Sequence, residues 1–236
     1  MILKYLPFIS TLVTLLFAWA VFSRYRHKRG AHLLLWSIGL VFFAAGTFAE
    51  AYLALAWSDA MLRLWYISGA MLTAAWLGQG TVYLLVSREK VAHASAAALV
   101  VISILSIALI AIAKIDPSTF DPHIAISTQY KTMMERTGLV TLLTILLNIY
   151  GTVTLIGGAI YSAYLFWRKQ ILPHRVVGKI LIAVGAMFPA AAGTLIKFGL
   201  SDYLYVSELI GGALMFAGFI AATSPQAVKQ TQAVTA

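Results

Sequence analysis

Apolar residues run along this chain in seven long blocks separated by short polar or basic breaks. The blocks read as helices over residues 5–23, 31–57, 61–85, 91–113, 137–167, 176–198 and 206–223, with a polar tail over 224–236. Each approaches or exceeds the roughly 20 apolar residues that cross a hydrocarbon core about 30 Å thick. The pattern therefore predicts an all-α, polytopic membrane protein, one seven-helix bundle over 1–223. The only long connection is Lys114 to Arg136, where Asp116-Pro117 and Asp121-Pro122 mark turns.

Within the blocks, the sparse polar residues recur at spacings of three and four. Arg63, Tyr66, Ala70, Ala74, Gly78 and Thr81 share one face of the third segment, and Glu50, Gly46 and Gly39 share one face of the second. Small residues in such rows let membrane helices approach closely, so both faces are expected to turn inward. Glu50 lies roughly 10 Å in from the end of its segment at Trp57, counting about 1.5 Å per residue. A carboxylate at that depth needs a partner, and the inward faces predict Arg63. Thr141, Thr144, Asn148 and Thr152 form a polar stripe on the fifth segment. Gly185, Pro189, Gly193 and Lys197 form one on the sixth, and Glu208, Gly211, Gly212 and Met215 one on the seventh. Pro189 frees a carbonyl and kinks its helix, which membrane helices tolerate beside a neighbour or a cavity.

Composition agrees with the pattern: 61% of the 236 residues are hydrophobic and 11% charged, and the mean hydropathy is +0.88. Cysteine is absent, which removes disulfides, thiolate metal sites and thiol nucleophiles from this chain. A net charge of +9 would suggest nucleic acid in a soluble protein. Here the basic residues gather at helix ends, where they set orientation, and no nucleic-acid partner is expected. With the amino terminus outside, the inner side holds Arg24, Arg26, Lys28, Arg29, Arg88, Lys90, Arg168, Lys169, Arg175, Lys179 and Lys229, eleven of the seventeen basic residues. The excess predicts an amino terminus outside, a cytoplasmic carboxyl end, and no cleavable leader.

Glu50, Arg63, Lys197 and Glu208 all belong to the outer half of the membrane and sum to zero charge. Intramembrane charges mark sites by default, so these four and Asn148 are the ligand or ion-pair candidates. The plainer reading is two structural ion pairs, or Arg63 and Lys197 snorkelling to the interface. Trp57, Trp65, Tyr66, Tyr203 and Tyr205 read as an interfacial aromatic belt. There is no H-E-x-x-H, nucleophile elbow or P-loop, so no catalytic residue and no metal site are expected. All five histidines fall in loops or at helix ends. His32 and His93, both at inner helix starts, are the one pair that would hold a haem, and their ordinary roles are capping or interfacial. No cofactor is expected.

Ala44-Ala45-Gly46-Thr47 returns as Ala191-Ala192-Gly193-Thr194, and Ile67-Ser68-Gly69-Ala70 resembles Ile210-Gly211-Gly212-Ala213. A true repeat would make a three-plus-one-plus-three arrangement with parallel halves, as in sugar transporters of the SWEET type, and would make Glu50 and Lys197 corresponding positions. Small residues are common enough in membrane helices for such matches to arise by chance.

The run Trp36, Gly39, Ala49-Glu50, Trp57, Arg63, Trp65-Tyr66, Gly69-Ala70, Leu77-Gly78, Gly80-Thr81 and Tyr83-Leu84 resembles a family of small bacterial seven-helix membrane proteins whose role is uncharacterised. More faintly, it is similar to the seven-helix sensor region of some bacterial histidine kinases. The resemblance covers two helices. It implies a multi-pass protein of the bacterial cytoplasmic membrane and carries over no ligand residue. The sensor likeness further implies that a partner supplies the output, because only the polar tail follows the last helix. Together these features put first a non-catalytic bundle acting by association, as a sensor-like module or an accessory subunit contacting lipid, other membrane subunits or its own copies. A small-solute or ion transporter is the alternative.

Overall fold

A computed structural model describes residues 5–168, 173–197 and 203–223; the side chains at 166, 173–175 and 192–197 also lie outside the described set. Eight helices follow in order. They are α1 (Leu6–Lys28), α2 (Ala31–Leu53), α3 (59–85), α4 (Glu89–Ala111), α5 (Ile126–Met133), α6 (138–168), α7 (Pro173–Lys197) and α8 (Leu204–Thr223). No strand occurs among the described residues, where Ile115 and Met134 make only an isolated antiparallel bridge.

The all-α, membrane-type architecture is as expected, and each apolar block became a helix. Among the described residues, five helices are long and apolar enough to cross a membrane: α1, α2, α4, α8 and Gly138–Leu165 of α6. Of the other two blocks, a π-helical turn over Tyr66–Leu72 interrupts α3, and in α7 the side chains are described only over 176–191. A second π turn, Val153–Gly157, lies within α6.

Local chemistry explains several ends. Pro7 sits in the first turn of α1, where its missing N–H is no loss. That helix runs on to Lys28 and stops at Arg29, left-handed at φ 52°, whose N–H reaches the Tyr25 carbonyl. Ser58 caps α3 by accepting from the Met61 N–H, and Thr137 caps α6 by accepting from Val140. Helix α2 ends at Leu53, so Glu50 lies one turn from its end rather than two.

The core has two centres. One gathers α3, α4 and α6 around Leu62, Tyr66, Leu72, Ile110 and Val140; the other gathers α1, α2 and α8 around Phe17, Leu40, Phe43, Met215 and Phe219. Glycines set the spacing between α3 and α6. A Cβ at Gly151 would stand 2.2 Å from the Ala74 carbonyl carbon, one at Gly78 2.1 Å from Thr154 Oγ1, and one at Gly158 2.3 Å from Thr81 Cγ2. The shared row from Tyr66 to Thr81 is therefore an inward face, as its spacing predicts, but it packs on α6.

The connection between α4 and α6 is more ordered than its turn signals imply. Asp116 Oδ1 accepts from the Ser118 N–H at 2.9 Å, opening a short 3-10 turn. Helix α5 follows, with Ile126, Met133 and Met134 inserted into the core. Backbone bonds from Asp116 N–H to Met133 and from Glu135 N–H to Lys114 pin the two ends of this segment together.

Candidate functional site

Between α2, α3, α6, α7 and α8, beneath α5, lies a cavity of about 430 Å³. Its wall is mixed. Phe43, Trp65, Leu155, Ile156, Ala186 and Met215 supply apolar surface, while Thr47, Thr73, Thr144, Asn148, Thr152 and Ser127 supply polar atoms. Glu50 and Glu208 complete it.

Glu50 is carried by the last turn of α2 and is 2% exposed. Glu208 stands on the first turns of α8, and its carboxyl neighbours that of Glu50 on the same cavity wall. Glu50 Oε1 and Glu208 Oε2 are buried and receive no hydrogen bond from any described donor. Tyr205, one turn before Glu208, is close enough to feel both carboxyls.

Arg63 is elsewhere. Its guanidinium donates to the Ile110 carbonyl and, at 2.9 Å, to the Ala113 carbonyl. The expected Glu50–Arg63 pair is thus replaced by two separate arrangements. The reason is the end of α4: its last carbonyls have no intrahelical donors, and a cation there meets both that need and the negative end of the helix dipole. Lys197 closes α7, and its side chain lies outside the described residues, as does Gly193.

Asn148 donates through Nδ2 to the Ala70 carbonyl at 2.7 Å and to Thr144 at 2.8 Å. Ala70 belongs to the π turn of α3, where the regular ladder is broken, so Asn148 ties the irregular backbone to α6. Beside it the Tyr66 hydroxyl bonds Thr144 Oγ1 at 3.1 Å. Of the expected stripe, Thr144, Asn148 and Thr152 line the cavity, together with Pro189 from α7, whereas Thr141 is not part of the lining and Gly185 packs against Gly211.

The roof was not foreseen. Tyr130 of α5 packs at a tilt against Trp65 and Tyr66, with ring centroids 5.2 and 5.6 Å apart, and Arg136 lies 5.0 Å over the Tyr130 ring. Burial pushes the Tyr130 hydroxyl above its ordinary range, with the Arg136 charge opposing. Trp65 and Tyr66 are accordingly buried at 8% and 0% rather than part of an interfacial belt, because α5 folds over them. Trp57 instead donates to Asp59 at 2.8 Å, and Tyr203 is exposed. The spacing of Ile126, Tyr130 and Met133 was the available signal for this helix.

A second polar cluster lies deeper along α3. Gln79 is fully buried and donates to the Ala92 carbonyl at 3.1 Å and to Ser95 Oγ at 3.0 Å, while its oxygen accepts from the Tyr150 hydroxyl. Every polar atom of this cluster is engaged, so it joins α3, α4 and α6 rather than offering a site. The histidines of the haem expectation are engaged locally: His32 packs edge-on to Trp36 at 5.3 Å, and His93 Nδ1 lies 2.7 Å from the Glu89 carbonyl.

No family model, curated protein or solved structure matches the chain.

Proposed function

We propose that this protein is a compact seven-span transporter of the bacterial cytoplasmic membrane, amino terminus outside, that binds a small solute in the cavity against Glu50 and Glu208. The pairing of buried Glu50 with half-buried Glu208 on the wall of one cavity carries the reading. A volume of about 430 Å³ lies within the range of small-molecule sites. Such a pair is an expensive feature for a purely packed bundle to retain. Support also comes from the irregular backbone around it. Both π turns and Pro189 lie beside the cavity, where α3, α6 and α7 bend most easily. The sequence puts association first. That reading draws on small-residue faces and few buried charges; the exposed apolar faces of α1 and α4, such as Trp19 and Val101, suit lipid as well as a partner.

The absence of cysteine allows a direct test. Single cysteines at Thr144 and Ala190, both on the cavity wall, should react with charged aqueous thiol reagents, whereas one at Ile149, an exposed apolar position, should not. Inert cysteines at both wall positions would return the protein to the associating class.

A further inference from the structure

We infer that the solute is a small organic cation, an ammonium with an apolar body, and that it binds by displacing a proton held between Glu50 and Glu208. This rests on the transporter reading and assigns its substrate class. The cavity offers two carboxyls, and among its described lining residues there is no lysine, arginine or histidine. Glu50 is almost fully buried and keeps an oxygen that accepts from no described donor, so the wall has unused capacity for positive charge. Phe43, Trp65 and Tyr130 present aromatic surface to the same space, the surroundings that attract an alkylated ammonium. An inorganic cation would prefer a tight oxygen cage, and groups of three or more metal-ligating side chains are absent among the described residues.

The exchange balances. Two carboxyls on one cavity wall with no basic residue among its described lining share one proton, because neighbouring like charges without a counter-ion do not both ionise, and the empty pair then carries a charge of −1. When a monovalent cation enters, the shared proton leaves to solvent; two carboxylates and one cation again sum to −1. No bond of the cation is broken. Among the described residues, the titratable or charged groups around the pair are Tyr205 on α8, Tyr66 on α3, and Tyr130 on α5 with Arg136 beyond it; α6 contributes the neutral Asn148, and the Lys197 side chain lies outside the described residues.

The test uses the purified full chain in detergent and benzyltrimethylammonium as probe, with benzyl alcohol and benzoate as neutral and anionic counterparts. Calorimetry should detect the cation alone, with affinity rising about tenfold per pH unit while the pair holds its proton. Repeating the titration in two buffers of different ionisation enthalpy should give one proton released per cation bound. Glu50→Gln and Glu208→Gln should each abolish proton release, with unchanged elution volume as the check on folding. Preference for benzoate or benzyl alcohol overturns the proposal, as does cation binding without proton release. Binding that occurs only in Lys197→Gln also overturns it, because the acidic pair would then be the resident counter-ion of Lys197. Reactive cysteines at Thr144 and Ala190 with no cation binding would sink this inference and spare the transporter reading; inert cysteines would sink both.

Discussion

Helices α3 and α6 run side by side from Tyr66 and Thr144 at one end to Thr81 and Gly158 at the other, and the two ends of this contact are built differently. At the Gly151 end the backbones touch, with no room for a single added carbon. At the Tyr66 end the helices are bridged by side chains, Tyr66 to Thr144 and Asn148 to the Ala70 carbonyl. One π turn, Tyr66–Leu72, lies at the bridged end, and the other, Val153–Gly157, lies between the close contacts at Gly151 and Gly158. Small residues thus decide where two membrane helices close, and hydrogen-bonding side chains decide where they are bridged.

Adding methyl groups and removing hydrogen bonds should separate the two ends. The largest effect is expected for Gly151→Ala, whose Cβ meets the Ala74 backbone and has no flexible side chain to displace. Overpacking of this kind costs roughly 1–3 kcal/mol or more, read as a lower temperature of aggregation in detergent. Next comes Arg63→Gln, which strips two carbonyls at the end of α4 of a charged donor. A loss of about 1–3 kcal/mol is expected, with faster amide exchange confined to the last turn of α4. Asn148→Leu should cost on the order of 1 kcal/mol and loosen the Tyr66–Leu72 turn. The smallest change belongs to Gly69→Ala at the bridged end, where the nearest atoms, Gly46 Cα at 3.5 Å and Trp65 at 3.9 Å, are in ordinary contact. A shift under about 0.5 kcal/mol is expected, as for a substitution that meets no strain. If Gly69→Ala proved as damaging as Gly151→Ala, the distinction between the two ends would be lost.

The reach of the sequence differs between fold and site. Apolar blocks gave each long helix to within a few residues, because hydrophobic length and terminal chemistry are local properties. Spacing also put Ala74, Gly78 and Thr81 on one inward face, and marked Glu50, Asn148 and Glu208 individually. It did not say which helix each face meets. Arg63 was therefore matched to Glu50, its neighbour in the hairpin, although the carbonyls it bonds are about fifty positions away, at Ile110 and Ala113. The π turns left no pattern, since one extra residue per turn shifts a stripe without erasing it. Helix α5 was hidden because its eight residues lie between turn signals in a polar connection.

The pinned connection over α5 has a practical consequence. The Ile115–Met134 bridge fixes where this arc begins and ends, independently of its length. Its exposed stretch Asp116–Thr119 lies outside the core, whereas Gln129 holds the Asp121 backbone and the Ile124 carbonyl further along. Lengthening a loop whose ends are already held adds only about 0.6 kcal/mol per doubling. An epitope grafted at Ser118 should therefore leave the roof seated, giving antibodies a handle on the face of the protein where the cavity lies.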